Sequence, residues 1–205
     1  KDARPVGKLV LKKTDAEDGS PLAGAEFELR IKKSGKVVAP LVTDEEGAAT
    51  SGDIPIATYK DGKMKKEIEY ILVETKPADG YTTAESIEFK VEDTAEVQKH
   101  QMLDDVTKVE ISKTDMTDSK EVPGAKLTIL DKDGKVVESW VSDKDPHMVE
   151  KLPVGTYTLR EEQAPDGYLV AEEVSFEVKD TGEIQKVEMK DARPVGKLVL
   201  KKTDA

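Results

Sequence analysis

Two diverged copies of one sequence pattern make up most of this chain, so its fold must be one that a module of about 100 residues can form and repeat. Residues 1–16 also recur without a change at 190–205. We therefore expect a longer tandem array with a period of 189 residues, counted from position 1 to position 190. Linkers of only a few residues predict a stiff rod. The predicted boundaries are 1–5 for the end of a preceding repeat, 6–105 for the first module, 106–192 for the second module and 193–205 for the first strand of a following repeat.

Each module consists of short alternating segments. Runs of about 5–8 residues alternate between apolar and polar side chains and are separated by Asp-Gly, Ser-Gly or Thr-Gly turns, a spacing typical of a β-sandwich. The first module has 11 more residues between Pro55 and Glu74 than the second has between Pro153 and Glu161, and we expect them to extend one hairpin around 57–63. The chain is therefore predicted to be all-β, with two tandem sandwiches of about seven strands each. The predicted strands of the second module are 107–114, 124–131, 135–142, 147–151, 155–162, 172–179 and 184–191.

The composition excludes several kinds of partner and bond. The formal net charge is −11 and no basic patch stands out, which argues against nucleic acid as a partner. No run of about 18 apolar residues is present, so we expect no membrane insertion in this segment. Cysteine and asparagine are absent, so disulfides are excluded and any amide between side chains must form from aspartate or glutamate. The lone histidines at 100 and 147 predict no metal site, and we expect no cofactor.

Three ionisable residues of the second module lie in register with the apolar face of predicted strands. Successive side chains of a strand point to opposite faces, so residues two apart share a face. Burying three ionisable groups is costly unless they neutralise each other or react. By this alternation Lys113 shares a face with Val109 and Ile111, Glu161 with Tyr157 and Leu159, and Asp191 with Val187 and Met189.

The first module repeats this arrangement at Lys13, Glu74 and Asp104. Both lysines begin a Lys-Thr-Asp string, and both glutamates lie seven residues before the tyrosine of an Asp-Gly-Tyr turn. Both aspartates end a Gln-Lys-x-x-Met-x-Asp string. One buried charge could arise by chance, whereas two matching sets indicate a shared mechanism.

The three residue types together permit an amide bond to form within the chain. A lysine amine attacks a carboxyl carbon only when it is neutral, and burial favours neutral forms of both amines and acids. A neighbouring glutamate accepts the proton of the amine and returns one to the leaving oxygen. We therefore assign Lys13 and Lys113 as nucleophiles, Glu74 and Glu161 as catalytic proton shuttles, and Asp104 and Asp191 as acceptors. The product is an isopeptide cross-link formed once in each module.

Several strings resemble a known family. They are Lys-Thr-Asp at 13–15 and 113–115, Pro-Leu-Ala-Gly-Ala at 21–25, Val-Pro-Gly-Ala at 122–125, Leu-Pro-Val-Gly-Thr-Tyr-Thr-Leu-Arg-Glu at 152–161 and Gln-Ala-Pro-Asp-Gly-Tyr at 163–168. In these residues the chain resembles the B-type repeats of the collagen adhesin Cna and the SpaA-like pilin domains of Gram-positive surface proteins. The resemblance implies a transthyretin-like, or inverse immunoglobulin, sandwich with spontaneous isopeptide bonds and attachment to the cell wall.

The chain departs from the family pattern in two respects. Many members use asparagine as the acceptor, whereas this chain has only aspartate, so water rather than ammonia would leave. In the first module, Lys-Pro-Ala-Asp-Gly-Tyr at 76–81 shifts the proline, and Asp104 is followed by Asp105.

Other interpretations of the triads stay open. Each triad is alternatively a buried salt bridge without a covalent bond. A hydrolase with paired carboxylates would need an open cleft and exposed acids, whereas Glu161 and Asp191 are predicted to lie in a core.

The expected function is that of a stalk repeat in an adhesin on the extracellular, wall-anchored surface of a Gram-positive bacterium, and not that of an enzyme with turnover. Its expected partners are the neighbouring repeats of the same chain. The alternatives are a module that binds a host matrix protein and a shaft pilin subunit. Short linkers favour the stalk, as does a content of only five Tyr, three Phe and one Trp, which disfavours a large exposed aromatic patch.

The last segment carries a further hypothesis. Residues 196–202 repeat 7–13, the opening strand of the first module. This segment could therefore replace that strand in a neighbouring copy and bring Lys202 to Asp104, an intermolecular cross-link by strand exchange.

Overall fold

The computed structural model describes residues 5–92, 97–196 and 199. Within these residues the secondary structure consists of sixteen strands and no helix, so no described helix could cross a membrane. The chain divides into two compact units, built mainly from the residues before and after the boundary between Thr107 and Lys108. The prediction of an all-β chain is confirmed.

The first unit contains two sheets and a separate hairpin. One sheet has the strand order β4-β1-β9, the other has the order β3-β2-β7-β8, and β5 pairs with β6. The strands are β1 (Val6–Asp15), β2 (Glu26–Ile31), β3 (Val37–Val42), β4 (Ala48–Pro55), β5 (Ala57–Lys60), β6 (Lys63–Glu67), β7 (Glu69–Lys76), β8 (Ile87–Lys90) and β9 (Gln98–Asp104).

The core of the first unit lies between its two sheets. Leu9 and Leu11 of β1 and Met102 of β9 belong to the same buried cluster as Phe27 of β2 and Leu72 of β7. Each strand contributes alternate residues to this cluster, as the sequence pattern requires. The unit is therefore a β-sandwich in which apolar side chains from both sheets meet.

The hairpin of β5 and β6 accounts for the extra residues of the first module. Lys60 pairs with Lys63 across a two-residue turn, in which Asp61 has φ of 53° and Gly62 has φ of 72°. An Asp-Gly pair with both residues at positive φ is the turn that matches the twist of a tight hairpin. This hairpin raises the strand number of the first unit to nine, instead of the predicted seven or so.

The second unit has seven strands among the described residues, and each overlaps a predicted one. One sheet has the order β13-β10-β16 and the other has the order β12-β11-β14-β15. The strands are β10 (Lys108–Asp115), β11 (Lys126–Leu130), β12 (Val136–Val141), β13 (His147–Glu150), β14 (Gly155–Gln163), β15 (Val174–Val178) and β16 (Ile184–Asp191).

The first and last strands of each unit are neighbours and run parallel. β1 pairs with β9 in the first unit, and β10 pairs with β16 in the second. Parallel partners cannot be joined by a tight turn, so the rest of each module forms the connection between them. A covalent link between these two strands would therefore close a loop that contains nearly the whole module.

Candidate functional site: two buried Lys-Glu-Asp triads

The first triad joins three strands of the first unit. Lys13 lies on β1, Glu74 on β7 and Asp104 on β9, and their residues are 0%, 4% and 1% exposed. The Nζ atom of Lys13 donates a hydrogen bond to Oε2 of Glu74 at 3.1 Å. It also donates to Oδ1 of Asp104. The amine therefore contacts both acids, and all three groups are shielded from solvent.

The second triad has the same arrangement in the second unit. Lys113 of β10 donates to Oδ1 of Asp191 on β16. Its Nζ atom lies 3.1 Å from Oε1 of Glu161 on β14. All three residues are buried. The lysine and aspartate belong to one sheet and the glutamate to the other, so the triad spans the core of the sandwich.

The parallel ladders set the distance between lysine and aspartate. Lys13 pairs with Met102, and Lys113 pairs with Met189, so in each unit the aspartate lies two residues beyond the partner of the lysine. Two residues of a strand span about 6.6 Å, which a lysine side chain bridges by leaning along the strand. Residues two apart also face the same way, so the amine and the carboxyl group meet on the core side.

A β-bulge accompanies the glutamate in both units. The pairing of β2 with β7 shifts register between Glu26 and Phe27, where Phe27 faces Glu74. The pairing of β11 with β14 shifts in the same way, and Leu127 faces Glu161. Bulges re-aim a side chain relative to the regular ladder. The matching irregularities indicate that the direction of each glutamate is set by the backbone.

A backbone amide also donates to the carboxyl group of each glutamate. The N–H group of Ala84 donates to Oε2 of Glu74 at 2.6 Å, and that of Ala171 donates to Oε2 of Glu161 at 2.6 Å. These contacts fix each carboxyl group from the loop that follows the Asp-Gly-Tyr turn. Sequence reasoning missed both amides, although each lies three residues after the tyrosine of that turn and so follows a repeated spacing.

The charges of each triad do not balance when all three groups are ionised, because one cation faces two anions. One buried oxygen of each acid also has no hydrogen-bond partner among the described residues: Oε1 of Glu74, Oδ2 of Asp104, Oε1 of Glu161 and Oδ2 of Asp191. In each triad, uptake of one proton by the two acids would make the net charge zero and would provide a hydrogen-bond donor for the unpartnered oxygens.

Burial favours the protonated form of the aspartate in each triad. Burial raises the pKa of Asp104 to about 6, against the opposing effect of Lys13, and the nearby Glu74 raises it further. Burial likewise raises the pKa of Asp191, although Lys113 opposes the shift. An uncharged carboxyl group is the form from which a hydroxyl can leave as water, so each site favours the acceptor form that amide formation needs.

One protein-family model matches both modules. A family model for the SpaA prealbumin-like fold domain matches residues 7–105 and again residues 107–193. The chain belongs to this SpaA family. Prealbumin is transthyretin, so the expected transthyretin-like sandwich is confirmed in both segments.

Solved structures resemble this SpaA chain over most of its length. The Bacillus anthracis TIE protein is 31% identical, with a TM-score of 0.52, and the match covers 91% of this chain but 34% of that one. The shaft pilin SpaA from Lactobacillus rhamnosus GG is 18% identical, with a TM-score of 0.45, over 95% of this chain and 100% of the pilin. The minor pilin GBS52 of Streptococcus agalactiae is 13% identical, with a TM-score of 0.42, over 96% and 100%. Among curated protein sequences, none matches the chain significantly.

The structure brings together the six predicted residues of the two SpaA modules, three in each. Lys202, predicted for an intermolecular bond, lies outside the described residues, as does most of the segment 196–202. Sequence reasoning also missed Phe27, whose ring centroid lies 5.4 Å from Nζ of Lys13. Leu127 takes the corresponding position in the second module, so an apolar residue lines each triad.

Proposed function

We propose that this SpaA-family chain is a stalk segment of a Gram-positive surface adhesin, in which each module cross-links itself through a Lys–Asp isopeptide bond. The observation that carries the proposal is the recurrence of one buried triad on corresponding strands of both modules. A single buried ion pair has many structural explanations. Two triads with the same register offset, the same bulge and the same backbone donor support a shared chemistry.

The proposed reaction begins from the neutral triad, with a protonated lysine, an ionised glutamate and a protonated aspartate. The glutamate takes one proton from the ammonium group of the lysine, and the amine then attacks Cγ of the aspartate. A C–N bond forms and the C–OH bond breaks. The second proton lost by the nitrogen leaves with the hydroxyl group as water, directly or through the glutamate. The products are an amide, one water molecule and a protonated glutamate, so atoms and charge balance.

The geometry accounts for how such a reaction proceeds without an external activator. The amine of Lys113 already contacts the carboxyl group of Asp191, and both side chains are at most 1% exposed. Groups held in contact within one molecule reach effective molarities of about 10⁵–10⁸ M. Burial also removes the solvent that would stabilise the charged and unreactive forms. Each site reacts once, which makes the chain its own substrate and not an enzyme with turnover.

The proposed bonds lie where a stalk needs them. Tension enters a module at its first strand and leaves at its last, and these are the two strands that the bond would join. The partners are separated by 91 residues in the first module and 78 in the second. A bond between them shields the intervening chain from force. By analogy with a disulfide, it also stabilises the module by about 4–5 kcal/mol through the entropy of the unfolded state.

Membership of the SpaA family supports a structural role on the cell surface. We propose an extracellular, wall-anchored location, with neighbouring repeats of the same chain as the partners.

The proposal is tested by mapping the bond. The chain is denatured, digested and sequenced by tandem mass spectrometry. We expect one branched peptide that joins Lys13 to Asp104 and another that joins Lys113 to Asp191, each lighter by about 18 Da than the sum of its linear parts. Recovery of only the linear peptides would reduce the triads to buried ion pairs. The same digest of a Glu161→Gln variant should lack only the second branched peptide.

A further inference from the structure

A second buried acid lies beside the triad of the second module. Asp115 is two residues beyond Lys113 on β10, faces the same side and is 2% exposed. Its Oδ1 atom accepts a hydrogen bond from the N–H group of Thr117 at 2.7 Å. Its Oδ2 atom accepts one from the hydroxyl group of Tyr168 at 2.7 Å. The donated bonds, that of Tyr168 foremost, hold the pKa of Asp115 well below its usual range. It is therefore an anion that takes no part in the proposed chemistry.

Arg193 completes this cluster from the segment that follows β16. It lies two residues beyond Asp191, and its Nε atom donates to Oδ2 of Asp115 at 2.8 Å. Its Nη2 atom donates to the hydroxyl oxygen of Tyr168 at 2.9 Å. The guanidinium carbon lies 5.1 Å from the centroid of the Tyr168 ring, within the range of a cation–π contact. We call Asp115, Tyr168 and Arg193 the latch.

The backbone around the latch holds the strand of the acceptor. The carbonyl group of Asp191 accepts from the N–H group of Met116 at 2.9 Å, and that of Ala192 accepts from Leu169 at 2.9 Å. The loop that begins at Tyr168 also supplies Ala171, whose N–H group donates to Glu161. One cluster thus connects the strand of the nucleophile, the strand of the acceptor and the loop that orients the glutamate.

We propose that Arg193 is a positioning residue for the Lys113–Asp191 bond, and that it acts by clamping the end of β16 to Asp115 and Tyr168. This inference rests on the proposed cross-linking. The latch joins the strand of Lys113, the end of the strand of Asp191 and the loop that donates to Glu161, without touching the reacting atoms. Small displacements of reacting groups lower reaction rates steeply. A contact two residues beyond Asp191 should therefore affect the rate of bond formation more than the stability of the fold.

The first module offers a matched comparison, because it has the same acid and tyrosine. Tyr81 donates to Oδ2 of Asp15 at 2.9 Å. Val106 stands two residues after Asp104, where the second module has Arg193, and it packs in a buried apolar cluster with Tyr81. Arg193→Val therefore places at this position the residue type that the first module has there. It keeps an apolar contact with the tyrosine and removes the charge and the two hydrogen bonds.

The test follows cross-linking in time. The full chain is recovered unfolded from inclusion bodies, refolded by dilution, and quenched at intervals in denaturant. The two branched peptides are then quantified separately, so the rate of bond formation in the first module serves as an internal reference. In Arg193→Val we expect the Lys113–Asp191 bond to form on the order of tenfold more slowly, with no change in the Lys13–Asp104 bond. Arg193→Lys should recover part of the rate, because it restores a charge without the bidentate geometry.

Two readouts separate positioning from mere stability. High salt should slow the second bond in the parent chain and leave it unchanged in Arg193→Val, because an ion pair with an exposed arginine is screened. The midpoint of thermal unfolding, measured in a Glu161→Gln background, should differ little with and without Arg193→Val. Equal rates for the second bond in the parent and in Arg193→Val would overturn the role of Arg193. Absence of either bond in the parent chain would instead overturn the proposed function.

Discussion

Lys113 pairs with Met189 in the parallel ladder but donates its hydrogen bond to Asp191, two residues further along. Lys13 does the same with Met102 and Asp104. The offset is set by the reach of a lysine side chain along a strand. It places the amine beside a carboxyl group that has no other cation among the described residues within 4 Å.

Replacing one glutamate should prevent one bond. In Glu161→Gln the side chain keeps its size but can no longer accept the proton of the amine. We expect the Lys113–Asp191 bond to be absent and the Lys13–Asp104 bond to be complete, which leaves the intact mass about 18 Da above that of the parent, apart from the substitution itself.

Glu162→Gln is the matched control for this experiment, since Glu162 is the exposed neighbour of Glu161 on β14. It should cross-link in both modules like the parent. Full cross-linking of Glu161→Gln would remove the glutamate from the mechanism.

Formation of the first bond should depend on pH through Asp104. Its pKa is raised to about 6 by burial, so above that pH the carboxyl group loses the proton that lets a hydroxyl leave as water. During refolding between pH 6 and 8, we expect the initial rate of the Lys13–Asp104 bond to fall by about fiftyfold in all, with a slope that approaches about tenfold per pH unit near pH 8. A rate that rises over this range would show that deprotonation of the amine, and not protonation of the acid, limits the reaction.

The same shift makes the module without its bond less stable as pH rises. The folded state binds the proton of Asp104 more tightly than the unfolded chain does. Its contribution to stability is therefore fully present below pH 3.8 and is lost as pH rises through about 6.

An asparagine acceptor should yield the same product by a different leaving group. In Asp191→Asn the amine of Lys113 would displace ammonia instead of water. The cross-linked chain is then chemically identical to the cross-linked parent, so the two intact masses should agree. About one equivalent of ammonia per chain should appear in an enzymatic ammonia assay of the refolding mixture. Asp191→Ala is the control and should release none.

Removal of the second lysine should destabilise its module strongly. Lys113→Met keeps the length of the side chain but leaves Glu161 and Asp191 buried without a cation and abolishes the bond. We expect a loss of at least about 4 kcal/mol in the free energy of unfolding of the second module, measured by urea denaturation. Lys126→Met, at an exposed position on β11, should change it by less than about 0.5 kcal/mol. A loss below about 1 kcal/mol in Lys113→Met would contradict the account.

Local periodicity was sufficient to predict the strands of the second module and the members of each triad. The face of a strand follows from a repeat of two, so Lys113, Glu161 and Asp191 were recognisable as charges on apolar faces. The turn signals placed the seven strands of the second module close to their observed positions. The Asp61-Gly62 turn likewise follows from its two residues.

Long-range pairing could not be predicted in this way. The alternation says which face Lys113 occupies but not that β10 lies parallel to β16, because that choice depends on how the whole module packs. The bulge beside Glu161 and the amide of Ala171 depend on backbone geometry, which residue types record only weakly. The contact of Arg193 with Asp115 joins residues 78 positions apart and gave no local signal.

The central claim is tested most directly by the intact mass of the denatured parent chain. Each Lys–Asp bond releases one water molecule, about 18 Da. We expect a mass about 36 Da below that calculated from the sequence. The deficit should shrink to about 18 Da when either Glu74 or Glu161 is replaced by alanine, after allowance for the substitution. A mass equal to the calculated value would show that both triads remain ion pairs, and it would contradict the self-cross-linked stalk.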